Sequence, residues 1–196
     1  MPEAAALSGL PRLPDVRRLS SRIFLGESPG GTPRARIDGT GKGFFDRGTQ
    51  TGGADYAESI HADAAARLTP GDVLAVNPRQ GLIVRRSSAP NSSLVVGVYS
   101  TKPAVLAFGS HGVKDSLAGQ VPVAMLGVVP TKVSAENGAV HAGDLLTSAR
   151  TPGYAMRAKP PVVRGVKIYR TGAILGKALG SVAHGKRLIQ VLVNLR

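Results

Sequence analysis

Cysteine and tryptophan are missing from this sequence, and phenylalanine and tyrosine together supply only 4% of it. Without cysteine there are no disulfides, thiolate metal ligands or thiol nucleophiles, and the redox compartment stays open. So few aromatics leave little on which the bases of a single-stranded nucleic acid could stack, which disfavours specific nucleic-acid recognition. No apolar run approaches the ~20 residues that span a bilayer, so no membrane span is expected. Residues 1–8 lack a basic region followed by an apolar stretch, so no secretory signal is read there. What is present is a chain of 196 residues that is 42% hydrophobic, enough for a buried core in one domain with an arm.

Acidic residues are scarce too, 12 against 25 Lys and Arg, for a net charge of +13. The excess is not uniform. Residues 1–72 hold nine basic and nine acidic side chains, whereas residues 73–196 hold 16 basic against Asp115, Glu136 and Asp144. Such a half attracts an anionic polymer, whether nucleic acid or acidic glycan, or an acidic neighbouring subunit; a merely solubilising surface has the same composition.

Along the chain, residues 1–35 are rich in Pro, Gly, Ser and Arg and read as an extended arm. Residues 36–53 read as a β-hairpin around Asp38-Gly39 and a Gly/Thr connector. The one stretch with near-helical spacing is Tyr56–Leu68, through Ala57, Ile60, Ala64 and Leu68, and it reads as a short helix or an extended segment. From Gly71 onward, short Val-, Leu- and Ile-rich runs recur between turn residues: Val73–Val76, Leu82–Arg85, Leu94–Tyr99, Ala104–Phe108, Val121–Val129, Thr131–Val133, Asp144–Thr147, Tyr154–Arg157, Ala173–Leu179 and Leu188–Leu195. The fold class expected is mainly β, a compact β-barrel or sandwich of short strands with one short helix at most, and residues 54–196 form its body. The last run, LIQVLVNL, has the composition of a central strand.

An internal echo is visible. Gly71-Asp72-Val73-Leu74 is matched by Gly143-Asp144-Leu145-Leu146, and each is followed by an apolar-apolar-Gly step, Val95-Val96-Gly97 and Ile174-Leu175-Gly176. Gly-Asp closes a tight turn, and a glycine inside a strand marks a bulge or a close backbone approach. The echo is that of a duplicated module, although turn chemistry alone can produce it.

Motifs for familiar chemistry fail on inspection. Gly39-Thr40-Gly41-Lys42-Gly43 lacks the spacing of a phosphate-binding loop, and Phe44 stands where its hydroxyl belongs. His61, His111, His141 and His184 are dispersed, so no metal site is expected, and no cofactor either. There is no Gly-x-Ser-x-Gly elbow. Lys159–Arg170, KPPVVRGVKIYR, reads as a solvated loop or as a basic finger whose Lys159, Arg164, Lys167 and Arg170 touch an anionic partner.

Gly52-Gly53-Ala54-Asp55-Tyr56-Ala57-Glu58, with LVVGVYS at Leu94–Ser100, VPVAMLGVVPTKV at Val121–Val133, the Gly143–Met156 hairpin, Gly172–Leu179 and the terminal LIQVLVNL, resembles the intramolecular-chaperone autoproteolytic domain. That domain occurs at the C-termini of phage neck appendages and tail fibres and in related bacterial surface proteins. The resemblance covers roughly residues 36–196. It implies a β-rich domain that trimerises, a location on a virion or an extracellular appendage, and in some members self-cleavage by a hydroxyl residue assisted by carboxylates. By position Asp55 and Glu58 match the carboxylates, but Ala54 occupies the place of the nucleophile, and a methyl group cannot attack a carbonyl. Cleavage at Ala54-Asp55 is therefore expected to be absent, with Asp55 and Glu58 left in structural roles such as capping. The function expected is a non-enzymatic, self-associating structural subunit, trimeric, of the phage-fibre or cell-surface appendage type, free-standing and reaching a neighbour with its arm. The alternatives are an autoproteolytic chaperone cutting at Ala54-Asp55 and a basic module for an anionic polymer.

Overall fold

In a computed structural model, the structure describes residues 22–39, 42–45, 52–108 and 119–195. The chain divides into two compact units, Met1–Gln50 and Thr51–Arg196. In the first, β1 (Arg22–Glu27), β2 (Pro33–Asp38) and β3 (Gly43–Phe45) form an antiparallel sheet in that order. The β2–β3 hairpin is the one expected around Asp38-Gly39, and Asp38 closes it by accepting the Lys42 N–H at 3.1 Å. The stretch read as an arm thus contains a strand, β1, and the start of β2; its residues 1–21 lie outside the described residues, as does His111.

The second unit is built from β4 (Asp55–Ala62), β5 (Val73–Val76), β6 (Ile83–Arg86), β7 (Val95–Tyr99), β8 (Val105–Phe108), β9 (Gln120–Ser134), β10 (Leu145–Ser148), β11 (Ala155–Arg157), β12 (Val162–Val163), β13 (Val166–Lys167), β14 (Ile174–Ala178) and β15 (Lys186–Asn194). Apart from the β12–β13 hairpin, these strands form one sheet in the order β11-β10-β14-β15-β9-β7-β5-β6-β4-β8. The fold is mainly β and sandwich-like, and no barrel is closed. LIQVLVNL is the central strand its composition foretells, held between β14 and β9. The runs Val121–Val129 and Thr131–Val133 are one fifteen-residue strand, because Pro130 sits where β15 pairs alongside without needing its N–H.

Tyr56–Leu68 is not a helix. Its first part is β4, whose burial alternates over Asp55, Tyr56, Ala57 and Glu58, and only Ala64–Ala66 make a single 3-10 turn. Alanine favours a helix in isolation, but here the backbone pairs with β6 and β8 in parallel and with β9 antiparallel. Those tertiary hydrogen bonds override the local propensity.

The echo in the sequence is a duplication in space. Leu74 faces Gly97 and Arg86; Leu146 faces Gly176 and Arg157. A bulge follows each glycine pairing at the same place, before Ala75↔Val95 and before Thr147↔Ile174. The turns match as well. The Gly71 N–H donates to the Tyr99 carbonyl at 3.0 Å and the Gly143 N–H to that of Ala178 at 2.8 Å, while the Tyr99 and Ala178 N–H groups donate back to Asp72 and Asp144, both at 2.9 Å. Asp72 Oδ2 accepts the Thr69 N–H and Asp144 Oδ2 accepts that of His141, each at 2.8 Å. Strand β9 belongs to both copies: its first half pairs with β4 and β7, its second with β15 and, through Ala155↔Val133, with β11.

Two strands can sit this close only where a side chain is missing. Gly97 (φ 148°) and Gly176 (φ 158°) lie in the range that favours glycine, and a Cβ on either would run into a backbone carbonyl of the next strand, Ala124 or Leu192. The interior is then filled by small aliphatics. One cluster holds Val73, Val98, Val129, Val133, Leu146, Leu175, Val191 and their neighbours; the other holds Leu74, Val84, Val121 and Val123. Among the described residues no helix is long and apolar enough to cross a membrane.

The charges around the two turns differ. Asp72 is 1% exposed, with Lys132 Nζ at 2.6 Å and Arg86 Nε at 3.8 Å, whereas Asp144 is half-buried and among the described residues pairs only with His141 Nδ1, at 3.7 Å. Removing Asp72 leaves Lys132 without its carboxylate beside a buried site, so Asp72→Ala should cost about 3 kcal/mol and Asp144→Ala about 1, measured by urea unfolding. By the same measurement, Gly176→Ala should cost at least about 2 kcal/mol, while Gly81→Ala, with open space around it, stays within about 0.5.

Candidate functional site

Two groups of residues merit the description of a site: the Ala54–Glu58 motif and the basic segment from Lys159 to Arg170. At the motif, Ala54 is exposed and leads straight into β4; its carbonyl accepts the Val128 N–H at 3.3 Å. On either side the backbone is crowded. A Cβ at Gly53 would overlap the Pro103–Ala104 peptide, and one at Gly127 (φ 118°) would fall 2.7 Å from the Asp55 Cα. The two glycines let three segments converge on the Ala54–Asp55 peptide, which the Ala104 N–H completes by donating to the Asp55 carbonyl at 2.7 Å.

Asp55 is 5% exposed, and its Oδ1 accepts the Ser100 hydroxyl at 3.0 Å. Its Oδ2 is buried with no hydrogen-bond donor among the described residues. Burial pushes this carboxyl above its ordinary value, and the Ser100 hydrogen bond draws it part of the way back. Glu58, three residues on in a strand, leaves by the opposite face and is exposed. The structure therefore does not bring the two carboxylates together around the 54–55 bond. Nor does Asp55 cap a helix: its side chain tethers the β7 exit, where Ser100 also receives the Lys102 N–H at 3.4 Å.

The basic segment is a hairpin. Its two-residue turn, Arg164 (φ 49°) and Gly165 (φ 80°), joins β12 to β13, and positive φ at both centres is the geometry that matches strand twist. Residues 161–170 are exposed throughout. Lys159 and Arg170 flank the hairpin and both line a hollow of about 300 Å³ with Pro161, Ile168, Tyr169 and Ile174. Arg164 and Lys167 stand away from it, at the tip and on β13. Nothing in the spacing marks Ser100 as the partner of Asp55, since one serine after a strand looks like any other. Lys132 and Arg86 around Asp72 were equally unmarked.

No family model matches the chain, and no curated protein matches it. Among solved structures it is similar to the pre-mature bacteriophage phi29 gene product 12, with a TM-score of 0.53 and 13% identity over 82% of this chain and 24% of that one. That is a likeness of fold. A phage protein contains this architecture, and this chain spans about a quarter of its length.

The raised Asp55 carboxyl has a measurable consequence. Its folded-state pKa lies above the unfolded one, so the folded state holds the proton more tightly and stability from this group is fully present below the ordinary carboxyl range. It is lost as pH rises through the folded value. Asp55→Asn keeps an acceptor for Ser100 and carries no charge, so from about pH 3 to about pH 7 its unfolding free energy should rise relative to wild type. Denaturant titrations of both proteins across that range measure the difference.

Proposed function

We propose that this chain is a structural subunit of a phage-fibre-like or cell-surface appendage that works by associating with copies of itself, as a trimer. The observation that carries this reading is an apolar band on the outer face of the sheet. Val105 on β8, Tyr56 on β4 and Leu126 on β9 are directly opposite one another across three strands, 48%, 41% and 56% exposed. Residues paired in this way share a face. The band continues through Val128 on β9 to Leu192 on β15, and Leu188, which is 59% exposed, lies on the same face beyond Gln190. On a chain carrying +13 charges, an apolar cluster spanning four strands in this way marks an interaction surface rather than ordinary solvent exposure.

The resemblance of the motifs to phage appendage domains and the shared fold with a phage protein support the same reading, and both favour a virion or appendage location. The Ala54 methyl, the opposed carboxylates and the tight packing around the 54–55 peptide support a non-enzymatic role. A second reading, binding of an anionic polymer, is favoured by the Lys159–Arg170 hollow and by the charge of residues 73–196.

Light scattering on the full chain at micromolar concentration should report the mass of a trimer, and Leu126→Glu, which places a charge in the apolar band, should shift it toward the monomer. A wild-type monomer at all concentrations overturns self-association. Intact-mass spectrometry of fresh and aged protein should show one species; a fragment beginning at Asp55 would establish autoproteolysis instead.

A further inference from the structure

Beside the basic hairpin lies a second feature that the functional reading does not use. The turn at residues 135–138 is closed by the Gly138 N–H donating to the Ala135 carbonyl at 2.9 Å, and Gly138 has φ 91°. The point where its Cβ would stand is 3.0 Å from Arg157 Nη2 and 3.2 Å from Lys159 Nζ. Two cationic heads therefore converge on one spot, within about 6 Å of each other, where their charges repel. No carboxylate comes within salt-bridge distance of either among the described residues. The Arg157 Nε is buried and has no acceptor there either.

The duplication supplies an internal control. Arg86 occupies the equivalent position in the first copy, and there Nε and Nη2 have acceptors: both donate to the Ala66 carbonyl, at 3.0 and 2.6 Å, and Nη2 also to that of Arg67 at 3.0 Å. Arg157 has kept the position and lost the acceptors.

Lys159 of this pair borders a cleft of about 630 Å³, lined also by Asn91, Asn137, Arg150 and Met156 among others. Its walls are fixed. Ser148 holds the 89–92 loop by donating to the Ala89 carbonyl at 2.8 Å and accepting the Ser92 N–H at 2.9 Å. Glu136, the one acid on the wall, is turned to the 150–151 loop: it accepts the Arg150 N–H and the Thr151 hydroxyl, both at 2.6 Å, and the Thr151 N–H at 3.2 Å. Partial burial pushes that carboxyl up, but these bonds outweigh it and hold it below its ordinary value, ionised and occupied. Lys159 also borders the hollow with Tyr169 and Pro161, so an anion site and an apolar ring surface adjoin.

We propose that this cleft binds an acidic sugar, its carboxylate or phosphate held by Lys159 and Arg150, with the Arg157 charge beside Lys159 reinforcing the attraction, and its ring lying against Tyr169 and Pro161. The inference rests on the anion-binding reading and specifies it. A nucleic-acid strand asks for a track of cations and several stacking rings. Here the cations meet at one point beside one ring, which suits a pyranose with a single charged group, and Asn91 offers an amide to its hydroxyls.

Calorimetric titration of the full chain at low salt, with a glucuronate-containing oligosaccharide in one arm and a hexose phosphate in the other, separates the two anions; a neutral oligosaccharide is the control. Saturable binding is expected in at least one acidic arm and none with the neutral sugar. Lys159→Glu should weaken it at least about tenfold, the loss of one charge-assisted contact. The double change Arg164→Ala with Lys167→Ala, on the exposed hairpin, should alter it less than about twofold. Lys159→Ala read in the same way serves if the glutamate variant does not fold. Equal losses from the hairpin and cleft variants, or tighter binding of single-stranded DNA than of either acidic sugar, overturn the site. Retention on a polyanion column without saturable sugar binding overturns the site and leaves the broader anion reading standing; absence of both removes both.

Discussion

Close approach of main chain to main chain, permitted by a missing side chain, is the constraint on which the larger unit depends. At Gly97 and Gly176 one strand bends over the carbonyl of the next, and the bulge beside each glycine gives the sheet its local curl. The Gly-Asp turns at 71–72 and 143–144 feed strands into those bulges at the same register in both copies. With the backbone so close, the enclosed volume is small. That fits a core of valine, alanine and a few leucines, and a sequence that manages without tryptophan.

The same economy shapes the Ala54–Asp55 region. Gly53 and Gly127 allow Ala104, Val128 and the 54–55 peptide to share one small space, and the Asp55 side chain is drawn inside to meet Ser100. A carboxylate half-satisfied in this way is costly when charged. Its position follows from strand alternation: in a β-strand, residues 55 and 58 cannot face the same side.

Much of the β architecture was legible in the sequence because it rests on local signals. The aliphatic runs between turn residues, the Asp38-Gly39 hairpin and the two Gly-Asp turns all announce themselves through turn chemistry and composition. The 56–62 strand did not, because its alanines carry a helical preference and its true partners, β6, β8 and β9, are distant in sequence. Site residues divided in the same way. Lys159 and Arg170 were visible as part of a run of charge, and both line one hollow. Ser100, Arg157 and the Glu136 anchor were not, since their significance lies in which buried groups they satisfy or leave unsatisfied, and no spacing along the chain encodes that.

Strand β9 runs through both copies of the duplicated module, and this bears on how the protein loses its structure. Neither copy has a complete set of strands without it, so there is no seam at which residues 51–196 can be dissected into autonomous pieces. Melting one copy withdraws the pairing partner of the other. The two matching modules thereby form a single cooperative unit, and a break anywhere along those fifteen residues would be felt at both ends of the sheet.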